Sequence, residues 1–242
     1  MSIFHGKRAL VTGATGGLGS EISLQLIKNG CSVFLLGTNL NKLEKLHLKL
    51  DRINKASHGP CGTAKLEYQC LDFCNLKSLQ EFLEENNKFD ILINCAGIFP
   101  IVNLYNSSMA DYDRCFDINV RAPFLLSKIC SENMKENNWG RIVNIGSSSS
   151  YNGSEDTGLY CASKHALLGL SRSFYKELKP HNVRVYTVSP GSIQTEMGAN
   201  DTRQDFSTFL NPSEVAEYVL YVMSQDNELI ADEIRLNRVV VR

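Results

Sequence analysis

Short runs rich in Val, Ile, Leu and Phe alternate with longer stretches of helical period along the whole chain, and that alternation constrains the fold more than any other feature. The pattern predicts strands at Arg8–Thr12, Ser32–Gly37, Lys65–Leu71, Ile91–Cys95, Arg141–Ile145, Val183–Val188 and Glu233–Val240. It predicts helices at Gly17–Asn29, Asn41–Ile53, Leu76–Asn86, Asp111–Met134, Leu159–Lys179 and Ser213–Ser224. Leu18, Ile22 and Leu26 form an apolar stripe at helical spacing, as do Leu167, Leu170, Phe174 and Leu178. Asn211-Pro212-Ser213 is a start signal for the last helix, with proline tolerated in a first turn. Strands separated by helices cannot be joined as hairpins, so the sheet must be mostly parallel, with right-handed crossovers and helices on both faces. The expected fold is α/β and doubly wound, with seven strands. No Pro/Ser/Gly-rich linker or charge block interrupts it, so one continuous domain over 1–242 is expected. Ligands in such folds bind beyond the carboxyl ends of the strands, where the strand order reverses.

Composition removes several function classes. The chain has 25 Lys+Arg against 26 Asp+Glu, which leaves no basic excess for a nucleic-acid footprint. Its longest apolar runs, such as Val33-Phe34-Leu35-Leu36, are far short of the roughly 20 residues that span a bilayer. The start, Met1-Ser2-Ile3-Phe4-His5-Gly6-Lys7-Arg8, places its basic residues after the apolar ones and does not read as a signal peptide. Eight cysteines (Cys31, Cys61, Cys70, Cys74, Cys95, Cys115, Cys130, Cys161) are scattered through apolar segments without a CxxC pair. They are expected as buried free thiols in a reducing, cytoplasmic compartment, with no metal site.

After the first strand comes Thr12-Gly13-Ala14-Thr15-Gly16-Gly17-Leu18-Gly19, which opens directly into a helix. Glycines at 13, 17 and 19 allow the tight turn, the approach of backbone to a pyrophosphate, and close helix–sheet packing. A strand-turn-helix of this kind at the first βα junction points to a Rossmann-like dinucleotide site. No Gly-Lys-Ser/Thr follows, so a P-loop is excluded.

Tyr160-Cys161-Ala162-Ser163-Lys164 places a tyrosine and a lysine on one helix face, a turn apart. Tyr175 and Lys179 repeat the spacing. Only Tyr160 follows a strand ending in Gly146-Ser147, so the second pair reads as an exposed helix face. Reducing a carbonyl with hydride creates an alkoxide that needs a proton, and a tyrosine at its ordinary pKa of about 10 supplies one inefficiently near neutrality. A nearby ammonium favours the phenolate, and a serine hydroxyl can hold the substrate oxygen. Ser147 is the first candidate serine, with Ser148, Ser149 and Ser150 as alternatives. None of the five histidines pairs with a GxSxG serine, so hydrolase chemistry lacks a site.

The TGxxxGxG turn and the YxxxK pair resemble the short-chain dehydrogenase/reductase family over nearly the whole chain. The resemblance implies Tyr160 as general acid/base, Lys164 as pKa modifier and ribose ligand, Ser147 as partner of the carbonyl oxygen, and Asn119 as holder of a proton-relay water. It implies cofactor contacts from Gly13, Thr15, Gly16, Gly17, Leu18 and Gly19, adenine contact from Asp72, and a cofactor-side segment at Asn94-Cys95-Ala96-Gly97. It also matches Pro190, Gly191, Ile193 and Thr195 to the nicotinamide end. Read on their own, Asp72 and Asn94 could cap turns, Asn119 could be a satisfied helix residue, and Thr195 could be a plain helix N-cap.

No acid stands at the end of the second strand, which reads Leu35-Leu36-Gly37-Thr38-Asn39. Thr38 and Asn39 could hydrogen-bond a 2′-phosphate, so NADP(H) is preferred and NAD(H) is the alternative. The expected reaction is hydride transfer between nicotinamide and a small ketone or secondary alcohol. The nearest branch by resemblance is 3-oxoacyl-(acyl-carrier-protein) reductase, although the lid at about 196–211 is short and the tail lacks the branch's glycine-rich ending; the endings of small-carbonyl reductases are closer. A protein that senses NADP(H) without turnover is the reading from another class. Ile98, Phe99, Tyr151, Asn152 and Met197 are candidate pocket residues or packing. Cys95 and Cys161 fall beside predicted functional residues, so alkylation is expected to inactivate. The resemblance also implies a homo-tetramer or dimer built on the two long helices, and the basic tail reads as a possible interface or a solvated strand end.

Overall fold

The computed structural model describes residues 2–58 and 64–239. Seven strands follow one another along them: β1 (Arg8–Thr12), β2 (Ser32–Gly37), β3 (Leu66–Cys70), β4 (Ile91–Asn94), β5 (Gly140–Ile145), β6 (Val183–Pro190) and β7 (Glu233–Leu236). All pair in parallel in the order β3-β2-β1-β4-β5-β6-β7. The helices are α1 (Gly17–Lys28), α2 (Leu40–His58), α3 (Leu76–Glu85), α4 (Met109–Phe116), α5 (Ala122–Glu136), α6 (Gly158–Leu178), α7 (Glu196–Ala199) and α8 (Pro212–Ser224). The doubly wound, Rossmann-like α/β fold is the one that the alternation of short and long segments requires.

Strand periodicity explains why the central runs are apolar throughout. Val11, Leu35, Ile93 and Val143 project to one face of the sheet and pack with Ile22, Leu26, Val219 and Met223 of α1 and α8. Their neighbours Leu10, Phe34, Leu92 and Ile142 project to the other face and pack with Leu79, Phe82, Leu126 and Met134 of α3 and α5. A side chain that alternates between two cores has no solvent face on which to be polar. β1 is flanked by β2 on one side and β4 on the other, with Val11 opposite Leu35 and Ile93. The chain therefore winds away from β1 in both directions, and the crevice at its carboxyl end is the topological switch point.

Several boundaries differ from the sequence expectation. The helix predicted at Asp111–Met134 is split into α4, a π-helical turn at Asp117–Arg121, and α5. The wide turn buries Asn119, whose side chain reaches back to Ile98. α2 runs on to His58 because no breaker follows Ile53 in Asn54-Lys55-Ala56-Ser57. β7 stops at Leu236, where pairing with β6 ends at Pro190, instead of continuing to Val240, which lies outside the described residues. Cys61 also lies outside them. Cys70 is exposed and Cys74 half-buried, so not every thiol is in the core: both lie at the end of edge strand β3, which has a neighbour on one side only.

Candidate active site

A cavity of about 600 Å³ opens at the carboxyl ends of β1, β4, β5 and β6. Its floor begins with the glycine turn. Gly13 sits at φ +60°, where a side chain is strained, and a Cβ there would stand 2.8 Å from the Ala96 backbone. A Cβ on Gly19 would stand 2.4 Å from the Gly13 carbonyl oxygen. Gly13, Gly16, Gly17, Leu18 and Gly19 all line the cavity. The N-cap Gly16 makes no side-chain cap bond, and the first turn of α1 contains no acid. The result is a backbone cradle at a helix N-terminus, with its positive end open to an anion.

Thr12, buried under this turn, fixes the next wall. Its hydroxyl donates to the Ile93 carbonyl and accepts from Cys95 N–H at 3.1 Å and Ala96 N–H at 3.0 Å. One side chain thus ties the loop after β4 to the loop after β1, and Ala96 and Gly97 join the cavity wall. Asn94 does not. It is buried between strands, donating to Asn144 Oδ1 at 2.7 Å and Ser127 Oγ at 3.2 Å, so its work is to link β4 to β5 and α5. Asn119 is also off the cavity wall. Its amide donates to the Ile98 carbonyl and Ser163 Oγ and accepts from Ile98 N–H at 2.9 Å. Its side chain thus ties the Ile98 loop to α6 through Ser163.

Ser147, Tyr160 and Lys164 come together on the far wall. Ser147, Ser148 and Ser149 all line the cavity, whereas Ser150 is turned to accept from Ser147 N–H; of the three, Ser147 is the one whose hydroxyl acts on the Tyr160 phenol, opposing the rise of its pKa. Phe99 packs edge-on against the Tyr160 ring, with centroids 4.7 Å apart. Lys164 Nζ donates to the Ile145 carbonyl at 2.8 Å and lies 5.6 Å from the Tyr160 ring centre. Burial of the phenol raises Tyr160 to about 12, with Ser147 acting in the opposite direction, and burial of the amine brings Lys164 down to about 8.

The remaining predicted residues divide. Pro190, Gly191, Ile193 and Thr195 line the cavity, and Thr195 is also the N-cap of α7, accepting from Gly198 N–H at 3.1 Å. Thr15 is half-buried and faces Gly37; Thr38 and Asn39 are exposed at the end of β2, with Asn39 Oδ1 accepting from Lys42 N–H. Asp72 is exposed and caps its own turn through Cys74 N–H at 3.0 Å. Of the pocket candidates, Phe99, Asn152 and Met197 line the cavity; Ile98 and Tyr151 do not, and the Tyr151 hydroxyl bonds Glu233. Cys95 reaches the cavity, but burial holds its thiol up at about 12; Cys161 is buried outside it beside Thr157. Tyr175 and Lys179 lie away from the cavity, with the ammonium 5.8 Å from the ring centre.

Sequence reasoning named the lid at about 196–211 but not the side chains that it and the tail present to the cavity. The lid leaves the sheet at Ser192 and returns at Leu210, closed by Leu210 N–H to Ser192 O and Gln194 N–H to Leu210 O. It carries α7 and a 3₁₀ turn at Phe206–Thr208, and it presents Asp201, Arg203, Gln204 and Phe209 to the cavity. Asn237 and Arg238 of the tail complete the wall, so the tail faces the chain's own site. The signal available in the sequence was the parallel pairing of β6 with β7, which carries whatever follows β7 to the start of the lid.

A backbone cradle at a helix N-terminus facing a buried tyrosine, inside one doubly wound sheet, is the arrangement of an oxidoreductase of the single-domain Rossmann type. More narrowly, the chain belongs to the short-chain dehydrogenase/reductase family, since the model described as short chain dehydrogenase matches residues 7–205. It is 30% identical over 240 residues to the 3-oxoacyl-[acyl-carrier-protein] reductase FabG of Rickettsia conorii, covering 94% of this chain and 93% of that one. A FabG of Aquifex aeolicus is 30% identical over 241 residues, covering 95% of each chain. Among solved structures, a metagenomic short-chain oxidoreductase in complex with NADP superposes with a TM-score of 0.82 at 26% identity, covering 98% of this chain and 99% of that one.

Proposed function

We propose that this chain is an NADP(H)-dependent reductase of ketones, carrying out the transfer between nicotinamide and a secondary-alcohol/ketone pair. The observation that carries the reading is the convergence of Ser147, Tyr160 and Lys164 on the same cavity as the glycine cradle. The cofactor fits that cradle: Gly13 and Gly19 leave no space for a Cβ, and the first turn of α1 offers backbone N–H groups without a competing acid. Gly13, Gly16, Gly17, Leu18 and Gly19 would hold its phosphates, and Ala96, Gly97, Pro190, Gly191, Ile193 and Thr195 would flank it toward the nicotinamide. When bound, the cofactor supplies the hydride.

The chain's own residues handle the oxygen. The Ser147 hydroxyl holds the carbonyl oxygen, and the Tyr160 phenol donates its proton to that oxygen as charge develops. Burial keeps the phenol protonated at neutral pH, so the proton is in place, and its release as the oxygen gains charge depends on the positive charge behind the ring. Lys164 provides a positive charge behind the tyrosine, anchored on the Ile145 carbonyl. The exposed Thr38 and Asn39, with Lys42 one turn further on, support the 2′-phosphate form, because no carboxylate stands there to take a 2′-hydroxyl. A second reading, reduction of 3-oxoacyl thioesters, is favoured by the two FabG relatives.

Tyr160→Phe tests the mechanism. Loss of a positioned acid should lower turnover roughly 10²- to 10⁴-fold while NADPH binding, read by its fluorescence, stays unchanged. Undiminished turnover would refute the assignment. Tighter binding of NADH than of NADPH to the wild-type protein would sink the cofactor preference.

A further inference from the structure

The ionisable groups around the cavity do not balance. Its wall carries the cations Lys164, Arg203 and Arg238 and the carboxylates Glu196 and Asp201. Each carboxylate already has its cation. Glu196 receives Lys42 Nζ at 2.8 Å, and the nearly buried Asp201 receives Arg203 through both oxygens, Nε at 2.7 Å and Nη2 at 3.2 Å. Lys164 is committed to the Ile145 carbonyl beside the tyrosine. Arg238 is left without a carboxylate among the described residues.

What holds Arg238 is neutral. Nη1 donates to Thr208 Oγ1 at 2.9 Å, Nη2 donates to Gln204 Oε1, and the guanidinium carbon lies 5.0 Å from the centre of the Phe209 ring. Gln204 is itself held by Asp201 and by Ser192. These contacts immobilise the fork but use only two of a guanidinium's five N–H donors. A pre-oriented, uncompensated guanidinium on a cavity wall is the arrangement that recognises a carboxylate.

On the reductase reading above, we infer that Arg238 is the specificity residue of the substrate end, and that the preferred substrates are ketones carrying an anionic group, a carboxylate. The alternative source of an anion in this cavity is a cofactor phosphate, and the test separates the two.

Acetoacetate and levulinate are compared with their methyl esters as substrates of wild-type, Arg238→Gln and Arg238→Lys proteins. The wild type should prefer the acids. Arg238→Gln should raise KM for the acids roughly 10- to 100-fold, the range for one charge-assisted hydrogen bond, and should leave the esters and NADPH affinity unchanged. Arg238→Lys should retain part of the preference. The same acids are titrated calorimetrically into NADP-loaded Tyr160→Phe protein with and without Arg238→Gln, which reads binding where chemistry is blocked. Arg238-dependent acid binding without turnover of any ketone would sink the reductase reading and support Arg238 as the carboxylate-recognising group of this cavity. Turnover with equal KM for acids and esters, or an Arg238→Gln effect confined to NADPH affinity, would overturn it.

Discussion

The contact between the lid and the glycine turn can be measured as a coupling energy. A Cβ on Gly17 would stand 2.6 Å from Thr195 Cγ2 and 3.2 Å from Thr195 Cβ. Two responses to Gly17→Ala compete. If Thr195 stays, the added methyl overpacks the contact at about 1–3 kcal/mol. If Thr195 rotates about χ1, Cγ2 leaves but Oγ1 is pulled off the Gly198 N–H it now caps, and losing such a cap costs about 1 kcal/mol. The cheaper response decides, so the penalty is about 1 kcal/mol. Replacing glycine by alanine in a helix returns about 0.4–1 kcal/mol through the unfolded chain, so the single substitution should barely move Tm.

The double-mutant cycle with Thr195→Ser exposes the hidden term. Serine keeps the capping hydroxyl and deletes Cγ2, so Gly17→Ala should be more favourable in the serine background by about 1 kcal/mol, or roughly 2–4 °C in Tm for a chain of this size. Equilibrium urea unfolding of the four proteins is the assay. Additivity within about 0.3 kcal/mol would refute the packing of Thr195 on the first turn of α1.

Lys164 gives a pH prediction. Its folded pKa of about 8 lies below its ordinary value of 10.5, so between those pH values the unfolded chain binds a proton that the folded chain does not. Stability from this group therefore rises with pH from about 8 to 10.5, and the Tm difference between wild type and Lys164→Met should shift in favour of wild type across that window; a constant difference would exclude the buried amine. For the described thiols, iodoacetamide at neutral pH should label exposed Cys70 before Cys95 or Cys161, with ketone reduction retained, because burial keeps Cys95 protonated and encloses Cys161. Peptide mapping that finds Cys95 or Cys161 modified before Cys70 would contradict this.

Elements whose cause is local could be read directly from the sequence. β1, the glycine turn and α1 follow from a β-rich run, three glycines and a stripe at Leu18, Ile22 and Leu26, and the structure holds all three where expected. Ser147, Tyr160 and Lys164 were legible because chemistry restricts their types and the strand before them fixes their place. Asn119 and Asn94 were harder, since only tertiary partners such as Ile98 and Asn144 decide whether a buried amide meets ligand or backbone. A spacing rule shows a neighbouring charge but not the desolvation that raises the buried phenol. Arg203 lies in an irregular segment without a periodic signal, and Arg238 falls inside the strand expected over Glu233–Val240, which ends at Leu236.

The position of β1 between β2 and β4 divides the site by mobility. Amides of Leu10 and Val11, paired on both sides and buried, are expected to exchange with solvent only when the whole domain opens, whereas the lid hangs from the sheet by a short bridge between Ile193 and Leu210 and by side chains. On the function proposed above, the surface that would grip dinucleotide is anchored to a slowly opening part of the molecule, and the surface that would select among carbonyl compounds to a more readily opening one. Substitutions in 196–211 can therefore retune substrate choice at little cost in global stability, while the same number of changes around Gly13 would be felt by the entire fold.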